Sequence, residues 1–142
     1  MAVEFKQLAD GSLGLEGVAT DSGSFIFINI PYTTASPLTL SSSVLPRQCV
    51  VQAIYAVPDV ASTNAVTATV YKAPSGTALG SGTALHSGTV NLQGTAATNL
   101  IPTLSTTAGA LLVAAGSRIG VVISGALGAS GSGVVTVALT PA

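Results

Sequence analysis

From residue 24 onward, apolar positions either alternate with polar ones or gather in short runs, and each block ends in Gly, Pro, Ser or Asp. A period of two with frequent turn formers is the signature of strands rather than helices. The pattern predicts strands over 24–32 (SFIFINIPY), 38–45, 48–57 (QCVVQAIYAV), 65–72 (AVTATVYK), 89–92, 98–104, 110–114, 118–124 (RIGVVIS) and 134–140 (VVTVALT). No window sustains an i, i+3, i+4 apolar pattern, so helix is expected to be nearly absent. Short strands at regular spacing predict an all-β fold. The expected architecture is an antiparallel β-sandwich, jelly-roll-like, because eight strands in two sheets is the usual jelly-roll count.

The first 23 residues read differently. Charged and glycine-punctuated, with Gly11, Gly14 and Gly17 at three-residue spacing, they predict an extended N-terminal arm (1–23) ahead of a sandwich domain (24–142). Three triplets without proline do not make a collagen helix. A second short repeat, SGTALG-SGTALH-SGTVNL over 75–92, places Gly76, Gly82 and Gly88 six residues apart. Three hexads are too few for a solenoid, and the segment reads as turn, edge strand and turn.

Charge sharpens the division. The chain has four Lys and Arg and five Asp and Glu in 142 residues. Glu4, Lys6, Asp10, Glu16 and Asp21 lie in the arm, leaving Arg47, Asp59, Lys72 and Arg118 for the whole body. Soluble domains usually carry about a quarter charged residues, which keep them apart in solution. A body so poor in charge suits a protein packed against copies of itself or a larger assembly. Four scattered cations cannot neutralise a phosphate backbone, so no nucleic-acid partner is expected. Glu4 and Lys6 stand where a signal peptide needs an apolar run, and the longest apolar stretch, 108–115, is far short of the ~20 residues of a membrane span. Cytoplasmic synthesis and no membrane partner are the expectation. Cys49, the one cysteine, reads as a small buried hydrophobe.

Catalytic chemistry is hard to assemble from this composition. His86, the sole histidine, lies in the Gly-Ser-Thr repeat, where a solvated loop residue is expected. There is no Gly-x-Ser-x-Gly elbow, no phosphate-binding glycine loop and no ligand cluster with metal spacing. No catalytic, cofactor-binding or metal residue is assigned, and no enzymatic activity is expected. Sugar-binding modules stack glycans on exposed aromatics. Tyr32, Tyr55 and Tyr71 are the candidates here, of which Tyr55 and Tyr71 fall inside strand patterns. Self-association is assigned to the 24–32 strand through Phe25, Phe27, Ile28 and Ile30. Phe25 and Phe27 face one way and Ile26, Ile28 and Ile30 the other, so the strand is expected to be covered twice or buried wholly in its own sandwich.

Three segments, AVTATVYKAPSGTALGSGTAL (65–85), LLVAAGSRIGVVISG (111–125) and GVVTVALTP (133–141), give the region 48–142 a resemblance to the small β-sandwich proteins of tailed-phage virions, of the capsid decoration (cement) and head-fibre type. Where such relatives would carry an acidic residue after the glycine before the penultimate strand, this chain has Gly116-Ser117-Arg118. The resemblance implies a non-enzymatic virion protein on the outer capsid surface that stabilises the shell by binding the major capsid protein. It also implies a homo-oligomer, with a homotrimer expected. An arm reaching to the shell would place Val3, Phe5 and Leu8 as apolar anchors among the charges Glu4, Lys6, Asp10, Glu16 and Asp21. The alternative is a host-receptor, glycan-binding module of a tail or fibre, acting through loops such as 125–133.

Overall fold

The computed structural model describes residues 4–7, 13–16 and 24–142. Within the N-terminal segment, β1 (Glu4–Gln7) pairs antiparallel with β2 (Leu13–Glu16). The body consists of β3 (Ile26–Tyr32), β4 (Thr39–Val44), β5 (Cys49–Val60), β6 (Thr67–Ala73), β7 (Thr83–Ala84), β8 (Val90–Asn91), β9 (Leu112–Val113), β10 (Arg118–Ser124) and β11 (Ser132–Pro141). Among the described residues the helical content is one turn of 3-10 helix, Leu79–Ser81, and no helix is long and apolar enough to cross a membrane.

One sheet has the order β3-β11-β5-β9. The other runs β4-β10-β6-β7, with β8 also paired to β6. First pairs with last (β3 with β11), second with penultimate (β4 with β10), and so inward through β5 with β9 to β6 with β7 and β8, all antiparallel. A long two-stranded ribbon wound over itself produces this order, and it is the jelly-roll sandwich. Ile28, Ile30, Ile54, Val135, Val137 and Leu139 face Val70, Leu85, Val121 and Ile123 in a single aliphatic core. Cys49 is fully buried there and free, as its apolar flanks suggest.

Three expectations change. Residues 98–104 form no strand. They make two isolated bridges, Leu100 to Ala56 and Leu104 to His86, which belong to opposite sheets. Pro102 has no N–H to offer a ladder, and the segment is a strap closing one end of the sandwich. Strand β7 is the edge strand expected inside the glycine hexads, but one of their glycines departs from the turn conformation expected of all three. Gly76 and Gly88 have the positive φ expected of turns, +83° and +65°, whereas Gly82 is extended and serves close approach, since a Cβ there would lie 2.1 Å from the Lys72 carbonyl oxygen.

The third correction is His86, which is 3% exposed rather than solvated. The Val70 amide donates to its Nε2 at 3.0 Å, and the Val70 carbonyl accepts from Leu85 N at 2.9 Å. Nε2 is therefore the acceptor nitrogen, and Nδ1, 3.2 Å from the Ser87 carbonyl oxygen, carries the proton. The imidazole substitutes for a strand carbonyl where the edge passes from β7 to β8. Buried backbone donors are nearly always paired, and this ring completes the pairing at Val70.

Tyr32 is 2% exposed, which removes it from any sugar platform, and its hydroxyl has no hydrogen-bond partner among the described residues. Burial pushes the phenol above its ordinary value, and the negative charge of Asp59 adds to the effect. Stability from the neutral phenol is thus present below the unfolded value of about 10 and is lost as pH rises through the higher folded value.

Two substitutions test this account by urea denaturation. His86→Ala strands the Val70 amide and should cost about 1–3 kcal/mol. Tyr32→Phe removes a buried hydroxyl without a partner, should stabilise by about 1 kcal/mol at neutral pH, and should flatten the loss of stability above pH ~10.

Candidate interaction surface

The outward face of β3, β11 and β5 is built from rows of residues in register. Phe27, Ala138 and Ala53 form one row, and Asn29, Thr136 and Tyr55 the next. Small side chains at Ala138 and Ala53, beside large ones at Phe27 and Tyr55, leave a shallow concavity of ≈ 380 Å³ bordered also by Phe25 and Gln52. Phe25 and Phe27 are stacked, with ring centroids 6.0 Å apart and planes inclined by 20°. They are 57% and 61% exposed, and Tyr55 is 37% exposed. Isolated surface apolar residues are ordinary. Three adjacent aromatics on one sheet face are a patch of the kind found at interaction sites.

Tyr55 reaches this face because of a bulge. Leu139 pairs with Val51 and Ala138 with Ala53, so Gln52 is the extra residue in β5. The insertion shifts the strand's inside-outside parity, turning Val51 and Ile54 inward and Tyr55 outward. The polar groups around the patch are paired with one another. Thr136 Oγ1 donates to Asn29 Oδ1 at 2.9 Å, and Gln52 Nε2 to Thr140 Oγ1 at 2.9 Å. Neither row contains a charged side chain.

Ile28 and Ile30, assigned to self-association together with Phe25 and Phe27, are buried in the chain's own core at 6% and 4% exposure. Alternation along β3 gives the isoleucines to the sandwich and the phenylalanines to the outside. Of the arm residues, Val3 and Leu8 lie outside the described residues. Glu4, Phe5 and Lys6 belong to β1, opposite Glu16, Leu15 and Gly14.

Two of the body's four charges, Lys72 and Arg118, are committed to backbone. Lys72 Nζ donates to the Gly109 carbonyl oxygen at 2.6 Å and also to that of Leu112, tying β6 of one sheet to the approach to β9 of the other. Burial lowers the pKa of this ammonium from its ordinary value. Arg118 donates to the carbonyls of Pro74 at 3.3 Å and Thr77 at 2.5 Å. The residue standing beside the expected carboxylate position thus holds the 74–77 turn. Among the described residues no group of His, Cys, Asp and Glu could hold a metal ion.

The loop 125–133 is pinned rather than open. Ser62 Oγ donates to the Leu127 carbonyl at 2.8 Å, Asn64 Nδ2 to that of Ala126 at 3.0 Å, and the Ala129 amide to Thr63 Oγ1 at 3.2 Å. Leu127 itself is buried. The polar side chains beside this loop are therefore engaged in holding it, and of the three tyrosines Tyr55 is the exposed one.

No protein-family model matches the chain, and no curated protein matches it. Among solved structures, a chain of the cyanophage Pam1 capsid asymmetric unit superposes with a TM-score of 0.54 at 18% sequence identity. The alignment covers 96% of this chain and 98% of that one. The likeness is one of fold. It spans both chains nearly end to end.

The two faces of β3 should respond differently to truncation. Ile28→Ala is expected to destabilise the isolated chain by about 2–5 kcal/mol. Phe27→Ala should change it by no more than ~0.5 kcal/mol in urea denaturation carried out at a concentration where the chain is monomeric.

Proposed function

We propose that this protein is a structural component of a phage virion, a capsid decoration protein that binds the major capsid protein and stabilises the shell from outside. The observation that carries the reading is the end-to-end fold likeness to a chain of a phage capsid asymmetric unit. Two features of the molecule support it. The body has almost no charge with which to hold itself apart from neighbours, and it presents the Phe25, Phe27 and Tyr55 face outward. A non-enzymatic role follows from the same chemistry, because the one histidine is committed to the Val70 amide.

In this reading the N-terminal segment 1–23, where five of the nine charges lie, makes the contact with the major capsid protein through Val3, Glu4, Phe5, Lys6 and Leu8. The aromatic face of β3 joins copies of the body into a homo-oligomer, a trimer on this proposal. An uncharged face has no electrostatic basis for preferring an unlike, charged partner. An uncharged surface of a second copy matches its polarity, and such a contact repeated head to tail closes into a three-fold ring. The reading includes no nucleic-acid partner, since the chain has only four cations and two of them, Lys72 and Arg118, are held by backbone carbonyls.

Co-sedimentation with shells assembled from the major capsid protein of its own virus tests the first contact. The full chain should pellet with the shells, and a chain lacking 1–23 should keep its β-sheet circular dichroism but remain in the supernatant. Pelleting without the arm would overturn the assignment of the arm, and no pelleting of the full chain would overturn the decoration role. Light scattering tests the second contact. The Phe25→Asp, Phe27→Asp double variant should fall to the 13.8 kDa mass of one chain, and an unchanged oligomer would remove this face from the interface.

A further inference from the structure

At the end of the sandwich closed by the 98–104 strap lies a cleft of ≈ 490 Å³, larger than the concavity on the aromatic face. Thr89, Asn91, Thr95 and Asn99 line it together with Ile101 and Pro102, and no charged residue does. It is preformed by backbone. Leu100 exchanges both amide hydrogen bonds with Ala56, at 2.8 and 2.9 Å, and the Ala97 amide donates to the Pro58 carbonyl at 2.7 Å. Ala97 is held at φ 56°, a left-handed conformation unusual for a residue other than glycine. Its position turns the chain so that Thr95 and Asn99 flank the opening.

What distinguishes this cleft is uncommitted hydrogen-bonding capacity. Asn91 Oδ1 accepts from the Gln93 amide at 3.0 Å, which leaves its NH₂ group available. The side chains of Thr89, Thr95 and Asn99 make no hydrogen bond to another described residue. By contrast, Ser62, Thr63 and Asn64 are engaged in pinning the 125–133 loop. Ile101, 66% exposed, offers an apolar surface beside these groups. Neutral donors and acceptors arranged around an apolar platform complement a ring with hydroxyls at its rim and C–H groups on its faces. Because Leu100 already has both backbone groups paired with Ala56, side chains rather than a free strand edge face the ligand, which disfavours an extended peptide.

We infer that this cleft is a binding site for neutral saccharide units, of the class found in uncharged cell-surface polysaccharides. The absence of a lining cation excludes uronate and sialylated chains from preference, since their carboxylates would lose hydration without gaining a partner. A single shallow site without a stacking aromatic gives weak binding, and many copies on one particle would multiply it through avidity. The avidity rests on the virion reading, whereas the site does not.

The test is a heteronuclear NMR titration of the full chain with neutral oligosaccharides of glucose, galactose, mannose and N-acetylglucosamine, alongside oligogalacturonate. At least one neutral series should give saturable shifts confined to the amides of residues 89–102, at millimolar concentration, and bind more tightly than the uronate. Asn99→Ala, which breaks no internal hydrogen bond, should weaken that binding up to about tenfold. Asn91→Asp keeps the oxygen that accepts from Gln93, deletes the free donors, and should do the same. No saturable shift with any neutral series, shifts mapping elsewhere, equal or tighter uronate binding, or unaltered affinity in both variants would overturn the site. None of these outcomes bears on shell binding, which co-sedimentation reads separately.

Discussion

The ladder of β11 with β3 on one side and β5 on the other sets the geometry on which the rest of the molecule depends. Seven residue pairs join β11 to β3 and ten join it to β5, so the backbone of the chain's last strand is fixed between the first and third strands of the body. Because side chains alternate along each strand, this one registration decides two surfaces together. It sends Ile28, Ile30, Val135, Val137 and Leu139 into the core and arrays Phe27, Ala138 and Ala53 in a row outside. A slip by one residue would exchange the two sets. The core and the candidate interface are opposite sides of the same register.

A second constraint is the shortage of charged and long polar side chains, which leaves backbone groups at loops and sheet edges to be satisfied by a few residues. Lys72, Arg118, His86, Ser62 and Asn64 each bond a main-chain group far along the sequence. Such bonds join the two sheets and their connecting loops at points the core does not reach. The same residues would be the natural choices for chemistry on a jelly roll. In this body they are committed to main-chain groups of the fold instead.

Much of this architecture was legible in the sequence where alternation ran long enough. Strand β10 occupies the predicted 118–124, and β3 lies within the predicted 24–32. The separation of Phe25 and Phe27 from Ile26, Ile28 and Ile30 onto opposite sides followed from the same period, although which side of β3 met the core was decided only by β11. Short or interrupted elements were not legible. Leu100 and Leu104 look like one strand but bridge opposite sheets, with Pro102 between them. The bulge at Gln52 inverts the parity of β5 and brings out Tyr55, which no local pattern marks. His86 sits in a glycine- and serine-rich repeat that resembles a solvated loop, and its burial answers a need of Val70, sixteen residues earlier. The cleft was invisible for a related reason, since Asn91 and Asn99 line it together only through the fold of the 92–100 segment, in which Ala97 has positive φ.

The size of the aromatic face bears on how an assembly could use it. At the observed exposures of Phe25, Phe27 and Tyr55, the three side chains offer roughly 300 Å² of surface, taking about 200 Å² as the area of each. Covering this patch with an equal area of a neighbouring copy would bury roughly 600 Å², about half the lower limit for a stable protein interface. The gross gain of ~15 kcal/mol at about 25 cal/mol per Å² is of the same order as the ~4–15 kcal/mol lost in ordering two bodies. The aromatic face alone thus supports weak, reversible pairing. Durable association requires a second contact made by the same chain, the part that the proposed binding of the N-terminal segment to the shell would play. Two contacts of this kind, each marginal alone, reinforce each other when a symmetric shell holds the copies in place. On the proposed reading, association of free copies is reversible and concentration-dependent, and it tightens where neighbours are already arrayed.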